Sequence, residues 1–443
     1  MEVLAFVIGV VLLVVGLAVS IALHELGHLW PAKKFGVRVG QYMIGFGPTL
    51  WSRRRGETEY GVKAIPLGGY ISMAGMYPPS PRERERAAAA SSSGAAARSG
   101  RAGGGFFATM VQDARSANDE TVHGDDDQRV FYKLPVYQRI IVMLGGPVMN
   151  LLFAIVLFAI LLTGIGVQTA TTTVSELSEC VPASGASECA PSDPAAPAAA
   201  AGVLAGDTIL SVDGQEVADF AEASAIIQES PGEQLTLVVE RDGAQQTLTV
   251  TAARRETTVT AADGSTTTAE IGFLGISPTS EYVRQPIWAG PQAAFENVGA
   301  VAAIIWQLPV KVADTAVTLV TGGERDPNGP LSIVGAGRLS GEVAATDAPI
   351  LNRVAGFVSL LASLNIALFV FNLIPLLPLD GGHIAVALWD GLKRAWAKLF
   401  RLPPPKPVDA TKLVPVTFIV VIALFAMGAI LILADIFNPV SLL

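Results

Sequence analysis

The residues best suited to chemistry stand near the start of the chain, in His24-Glu25-Leu26-Gly27-His28. On a helix, positions i and i+4 share one face. His24 and His28 can then hold one Zn2+ through imidazole nitrogens at about 2.0–2.1 Å. Glu25 sits beside them, placed as a general base toward an attacking water. A chance match of five residues is the competing explanation. Against it, two of only four histidines in the chain fall in this pattern, and polar groups inside an apolar helix are costly to keep. A hydrolytic zinc needs a third protein ligand. Asp380 is the candidate, in Asn372-Leu-Ile-Pro-Leu-Leu-Pro-Leu-Asp-Gly-Gly-His383. His383 could compete, but beyond Gly381-Gly382 it reads as a surface group. His123, beside an acidic run, reads as solvated.

The elements around these residues are set by composition. Of 443 residues, 51% are hydrophobic and 16% charged, against about 25% charged in soluble domains. Mean hydropathy is +0.48. A disordered chain and a purely soluble enzyme are thereby excluded. A net charge of −9 leaves no basic footprint for nucleic acid. Four uncharged runs, Val3–Leu23, Ile140–Val167, Val354–Leu379 and Leu413–Ala434, reach the roughly 20 residues that cross a bilayer. The first has an acidic n-region and no small-residue cleavage site, so it reads as an uncleaved span. Val298–Val310 is short and followed by Lys311 and Asp314, which suits an interfacial or buried helix better than a span.

Lysine and arginine set the orientation. Residues 30–139 carry 16 of the 30, residues 168–353 carry 8, and residues 381–412 carry 6. The long middle segment is poorest per residue and is expected to be exported. Both termini then face outside, and the histidine motif lies near the cytoplasmic face. Topology adds a check on the metal. With four spans the first and third run in the same direction, so His24, His28 and Asp380 can meet. A fifth crossing would put Asp380 on the other face, about 30 Å away. Cys180 and Cys189 both fall in the exported segment, where a disulfide can persist; two unpaired thiols are the alternative, which spacing alone does not decide.

Between the spans the composition shifts. Thr49–Arg53 and Thr58–Lys63 read as strands around a turn at Arg55-Gly56-Glu57. Residues 77–130, rich in Pro, Arg/Glu, Ala, Ser and Gly, read as a disordered cytoplasmic linker. After a second linker, Gly202–Gly214, a helix at Phe220–Glu229, strands at Gln234–Arg241 and Gln246–Ala252 around Asp242-Gly243, and a closing strand at Ile271–Ile276 outline a small soluble α+β module.

These motifs resemble the site-2 protease family of intramembrane zinc metalloproteases, its bacterial regulator-of-sigma-E branch in particular. His24–His28 looks like the family's His-Glu-x-x-His, Leu379-Asp380-Gly381 like its Leu-Asp-Gly, and Asn372-Leu-Ile-Pro like the Asn-x-x-Pro before it. Gly45-Phe46-Gly47 and Gly68-Gly69-Tyr70 resemble a membrane-associated β-hairpin, Gly145–Asn150 the start of the second span, and Gly329–Ile333 a segment before the third. Gly202–Gly214 with Gly272–Ile276 looks like a circularly permuted PDZ domain. Any one motif is modest; their order and spacing are specific.

The resemblance implies a polytopic α-helical membrane protein with four transmembrane helices, a cytoplasmic-side β-hairpin and an exported α+β PDZ domain. Segments follow as 1–35, first span with the zinc motif; 36–76, hairpin; 77–130, linker; 131–167, second span; 168–283, PDZ-like domain with its linker; 284–350, exported interfacial helices; 351–383, third span with the third ligand; 384–412, cytoplasmic loop; 413–437, fourth span. It implies a plasma-membrane zinc endopeptidase that cleaves a single-pass protein, often an anti-sigma factor, after an upstream site-1-type protease has trimmed it.

A helical substrate hides its carbonyls, so it must unwind, and an enzyme strand could hold it by β-addition. The 49–63 hairpin and the strand with Gly68, Gly69 and Tyr70 are candidates. Asn372 and Asn365 could bind the freed backbone; plain bonds between helices are the alternative. Two other functions compete. A membrane PDZ scaffold leaves His24, Glu25, His28 and Asp380 unexplained. A multi-span zinc protease acting on prenylated C-termini fits poorly with the PDZ-like module and Leu-Asp-Gly.

Overall fold

The computed structural model describes residues 2–76, 128–182, 189–190, 193–260, 266–323, 325–326, 329–405, 408 and 413–440. The expected linker lies outside them except for residues 128–130, and so does His123. The chain forms two compact units, Met1–Gly164 with Pro286–Leu443, and Ile165–Gln285.

The first unit is helical. Its elements are α1 (Glu2–Lys34), strands β1 (Val39–Arg55) and β2 (Thr58–Met73), α2 (Val136–Ala159, extended by a wider turn to Ile165), α5 (Ala289–Thr321), α6 (Ile333–Ala345), α7 (Ile350–Asn372), α8 (Asp380–Leu399) and α9 (Val414–Phe437). Five of these helices, α1, α2 with its wider turn, α5, α7 and α9, are long and apolar enough to cross a membrane. The Val298–Val310 run, expected to be a short helix, lies within the 33 residues of α5, because Lys311 and Asp314 continue the helix rather than end it. Length alone therefore does not separate α5 from the four expected spans.

Contacts give the directions. Gly27 of α1 meets Gly145 of α2, while Gly16 and Ser20 of α1 meet Leu361 and Asn365 of α7. Both members of the second pairing rise by four, so α7 runs parallel to α1. His28 meets Val142 and Gly146 of α2. Ala159, at the far end of α2, is 17 residues or about 25 Å of helix beyond Val142 and touches Gly290 at the start of α5. Past the end of α5, Arg325 pairs with Asp435 of α9 at 2.5 Å. Asp435 also accepts from the N–H groups of Ser332 and Gly335, at the start of α6, and α6 packs through Ser340 and Gly341 on Gly9 and Phe6 of α1. Both ends of α5 are thus tied at the end of the bundle remote from the histidines.

The strands of this unit make more than a hairpin. Val39 pairs Met73 and Ile44 pairs Gly69, while Gln41–Ile44 also pairs Glu59–Val62 and Thr49–Arg55 pairs Thr58–Lys63. Each long strand bends, so Gly69–Met73 carries ladder partners on one side only among the described residues. Gly69 lies against α1: an ideal Cβ there would stand 2.8 Å from Ile21 Cγ2 and 3.0 Å from Glu25 Cγ.

The third expected span ends earlier than the sequence implied. The helix α7 stops at Asn372, and Asp380 opens a separate helix, α8. Most of 384–412, expected to be a loop, is that amphipathic helix. Its Leu388, Trp389, Leu392 and Trp396 are exposed, and such apolar spacing at three and four residues is helical. Its inner face is fixed by a buried pair, Arg139 Nη1 to Asp390 Oδ2 at 3.1 Å.

The second unit comprises β3 (Val167–Leu177), α3 (Pro197–Ala200), β4 (Thr208–Val212), β5 (Gln215–Glu216), α4 (Phe220–Gln228), β6 (Gln234–Arg241), β7 (Ala244–Thr251), β8 (Ala253–Thr260), β9 (Thr266–Phe273) and β10 (Ile276–Val283). The sheet runs β10-β3-β4-β6-β7, with β5 on β4 and β8 paired to β9. Asp242 and Gly243 have φ of 53° and 76°, the primed turn that matches strand twist. The core gathers Ile209, Leu235, Leu237, Val239 and Ile227 of α4. Val167 pairs with Val283, so the first and last strands lie side by side. The expected closing strand is two strands, since Gly275 at φ 80° breaks the run. Cys180 and Cys189 are joined as a disulfide, with Cα atoms 5.9 Å apart.

Candidate active site

Three donors converge at one end of α1. His24 Nε2 and His28 Nε2 are 3.2 Å apart, and each lies 3.3 Å from Asp380 Oδ2. Zinc bound at about 2.0–2.1 Å in a tetrahedron sets its ligand atoms about 3.3–3.4 Å apart. The donor set and its spacing therefore fit zinc, with one tetrahedral position left for a reacting group. Among the described residues it is the one group of three such side chains within ligand distance of one another.

Each donor is positioned by local sequence. The helical repeat puts both imidazoles on one face. His28 Nδ1 donates to the Val142 carbonyl at 2.7 Å, which directs Nε2 toward Asp380. Gly146 makes room, because an ideal Cβ there would overlap the His28 ring. Gly27 and Gly145 let α1 and α2 approach backbone to backbone. Asp380 is carried by the first turn of α8, and Gly381 and Gly382 allow that turn to fold under Leu373–Leu377. The Arg139–Asp390 pair holds α8 on α2, and the Val408 N–H donates to Asp390 at 2.9 Å. Burial pushes the Asp390 carboxyl up, but Val408, Lys393 and Arg139 more than offset it and hold it below the usual range.

Glu25 is buried at 8% exposure, one residue off the imidazole face. It lies against Gly69 of the one-sided strand. Tyr42 of β1 donates to the Ala22 carbonyl at 2.7 Å. Its phenol is pushed up to about 12, by burial first and then by Glu25 and Tyr60, so it stays a neutral donor.

The sequence-based candidates divide. His24, His28, Asp380, Glu25 and the Gly68-Gly69-Tyr70 strand come together. Asn372 ends α7, half-buried, its Nδ2 donating to Leu368 at 3.0 Å. Asn365 stands apart from the triad: it is fully buried, and its Nδ2 donates to Ser20 Oγ at 2.9 Å and Leu361 at 2.8 Å. That geometry fits the helix–helix alternative, because no face of the amide is open to a substrate. His383, expected at the surface, is half-buried in the first turn of α8. Val142, Gly146, Tyr42 and Arg139 were missed. Only the glycine pair of Gly145-Gly146 signalled close approach; a carbonyl acceptor has no side-chain signature.

A His-His-carboxylate site with a buried glutamate beside it defines a metal-dependent hydrolase. Comparison with known proteins agrees. The model of peptidase family M50 matches residues 12–400. The chain is 34% identical to the zinc metalloprotease Rip1 of Mycobacterium tuberculosis over 99% of both chains. It is 33% identical to Rip1 of Mycolicibacterium smegmatis, again over 99% of both. To the metalloprotease MmpA of Caulobacter vibrioides it is 29% identical over 88% of each. The chain belongs to peptidase family M50 and is a multi-pass membrane zinc metalloprotease of the site-2 type.

Proposed function

We propose that this protease cleaves a single-pass membrane protein within or near its transmembrane segment, after an upstream protease has removed the outer part, and that the substrate is an anti-sigma factor. The convergence of His24, His28 and Asp380 beside Glu25 carries this reading. His24, His28 and Asp380 hold the zinc. Bound there, zinc would supply Lewis acidity and lower the pKa of water. Glu25 takes the proton of the attacking water on its carboxylate and returns it to the departing amine.

The substrate is held extended. Its backbone adds to the free edge of Gly68, Gly69 and Tyr70, and Asn372 binds a freed main-chain group at the end of α7. The strand's contact with Glu25 supports this arrangement. A Cβ at residue 69 would intrude where the glutamate lies, so glycine brings backbone and base together.

The membrane arrangement has four crossings, α1, α2, α7 and α9. The contacts of Gly290 and Arg325 support an α5 that starts and finishes on the exported side. Both termini then lie outside, the histidines near the cytoplasmic surface, and the second unit acts outside as a PDZ domain, where its disulfide is stable. Exposed Trp30, Trp51, Trp389 and Trp396 near the histidine end suit an interfacial belt. The test is full-length chain in vesicles with a trimmed single-pass substrate. Glu25→Gln should retain zinc and lose cleavage; continued cleavage by that variant would sink the assignment.

A further inference from the structure

One side chain near the triad is not used by this mechanism. Asn150 of α2 is 1% exposed, yet neither Nδ2 nor Oδ1 has a hydrogen-bond partner among the described residues. Buried His24 Nδ1 likewise has none. An amide left unpaired at membrane depth is costly and calls for a reason. A fourth unpaired atom is Asn365 Oδ1.

Their positions are related. Val142, Gly146 and Asn150 follow at four-residue steps on the buried face of α2. Val142 accepts from His28, and Gly146 faces the His28 ring. The two helices run antiparallel, so a step of four back along α1 and four forward along α2 moves in the same direction by about 6 Å. That step leads from His28 to His24 and from Gly146 to Asn150. Another turn leads to Ser20, which bonds Asn365. Metal-bound histidines normally donate their second ring N–H to an outer partner that fixes tautomer and orientation. His28 has one in Val142; His24 lacks one.

We propose that Asn150 is the outer hydrogen-bond partner of His24 in the zinc-loaded enzyme. Its Oδ1 accepts from His24 Nδ1–H, and its Nδ2 donates to Asn365 Oδ1. Asn365 donates on to Ser20 Oγ, and Ser20 Oγ donates to Gly16 O at 2.9 Å. One chain of bonds then satisfies these four atoms and ties His24 to α2 and α7. Side-chain rotation brings the Asn150 amide toward His24, whose level it shares, and Asn365 stands one turn further along, beside Ser20. Asn150 is thus a positioning residue, and the inference rests on the triad reading above.

The experiment measures zinc release from purified full-length chain to a chromogenic chelator. Asn150→Ala and Asn150→Leu, the second preserving volume, should release zinc about ten- to a hundred-fold faster than the unaltered chain, with little change in thermal midpoint. Asn150→Asp should restore slow release, because a carboxylate also accepts from Nδ1–H. His24→Ala is the control. If it keeps its zinc, the triad reading fails. If it loses zinc while Asn150→Leu releases at the unaltered rate, or Asn150→Asp is as fast as Asn150→Ala, the role of Asn150 is overturned and the triad stands.

Discussion

Gly27 and Gly145 meet backbone to backbone where α1 crosses α2, and an ideal Cβ on either would overlap the other's carbonyl. The crossing sets the distance from His28 to Val142, one residue and three residues away along the two helices. Gly145→Ala should therefore force the helices apart, with an overpacking cost of about 1–3 kcal/mol. The altered protein should fold, bind zinc at least ten-fold more weakly and cleave proportionately less. Zinc analysis after dialysis against a chelator checks this; full retention would show that the close approach is not needed.

Gly69 offers a separable test. Its Cβ would stand 3.0 Å from Glu25 Cγ, while the metal donors lie elsewhere. Gly69→Val should leave zinc content unchanged and lower cleavage at least ten-fold. Metal analysis and cleavage on one preparation distinguish this from a general collapse.

The Arg139–Asp390 pair has side-chain exposures of 6% and 2%. Removing one partner strands a buried charge, at about 3–5 kcal/mol. Asp390→Leu should be destabilised by that order and lose zinc, because α8 carries Asp380. Arg139→Met with Asp390→Leu should recover much of the stability. Thermal unfolding in detergent of the single and double variants reads this directly.

In the second unit, Arg241 bonds Asp207 at 2.7 Å through Nε and 2.8 Å through Nη2. The Arg241 hydrogen bond, more than enough to offset burial, holds the Asp207 carboxyl below its usual value, and the Leu204 N–H adds to it. The sign follows. An unfolded Asp titrates near about 3.9, so the pair's stabilisation is complete above that pH and is lost as pH falls through the lower folded value. Protection of β4 and β6 amides against hydrogen exchange, relative to the intrinsic rate at each pH, should fall below about pH 4 in the unaltered chain. Asp207→Asn should be less protected at neutral pH and lack that acid-dependent step.

Much of this was legible in the sequence because the signals are local. The histidine spacing is one helical turn, Asp242-Gly243 is a turn signature, and β6 spans the expected Gln234–Arg241. The boundaries of α1 and α8 were not legible, because hydropathy marks where a helix is apolar rather than where it is helical. The helix α1 continues to Lys34 through the polar motif, and α8 is half polar. The length of α5 was missed for the same reason. The role of Asn365 could not be read, since its partner Ser20 is 345 residues away in sequence.

The strand that opens the second unit and the strand that closes it are neighbours, Val167 beside Val283. An insertion whose ends touch can be exchanged as a cassette. A short turn joining residues 166 and 284 would close the gap without stretching the flanking helices. The fold therefore permits the second unit to be lifted out or replaced while the helices that carry His24, His28 and Asp380 keep their chain connections.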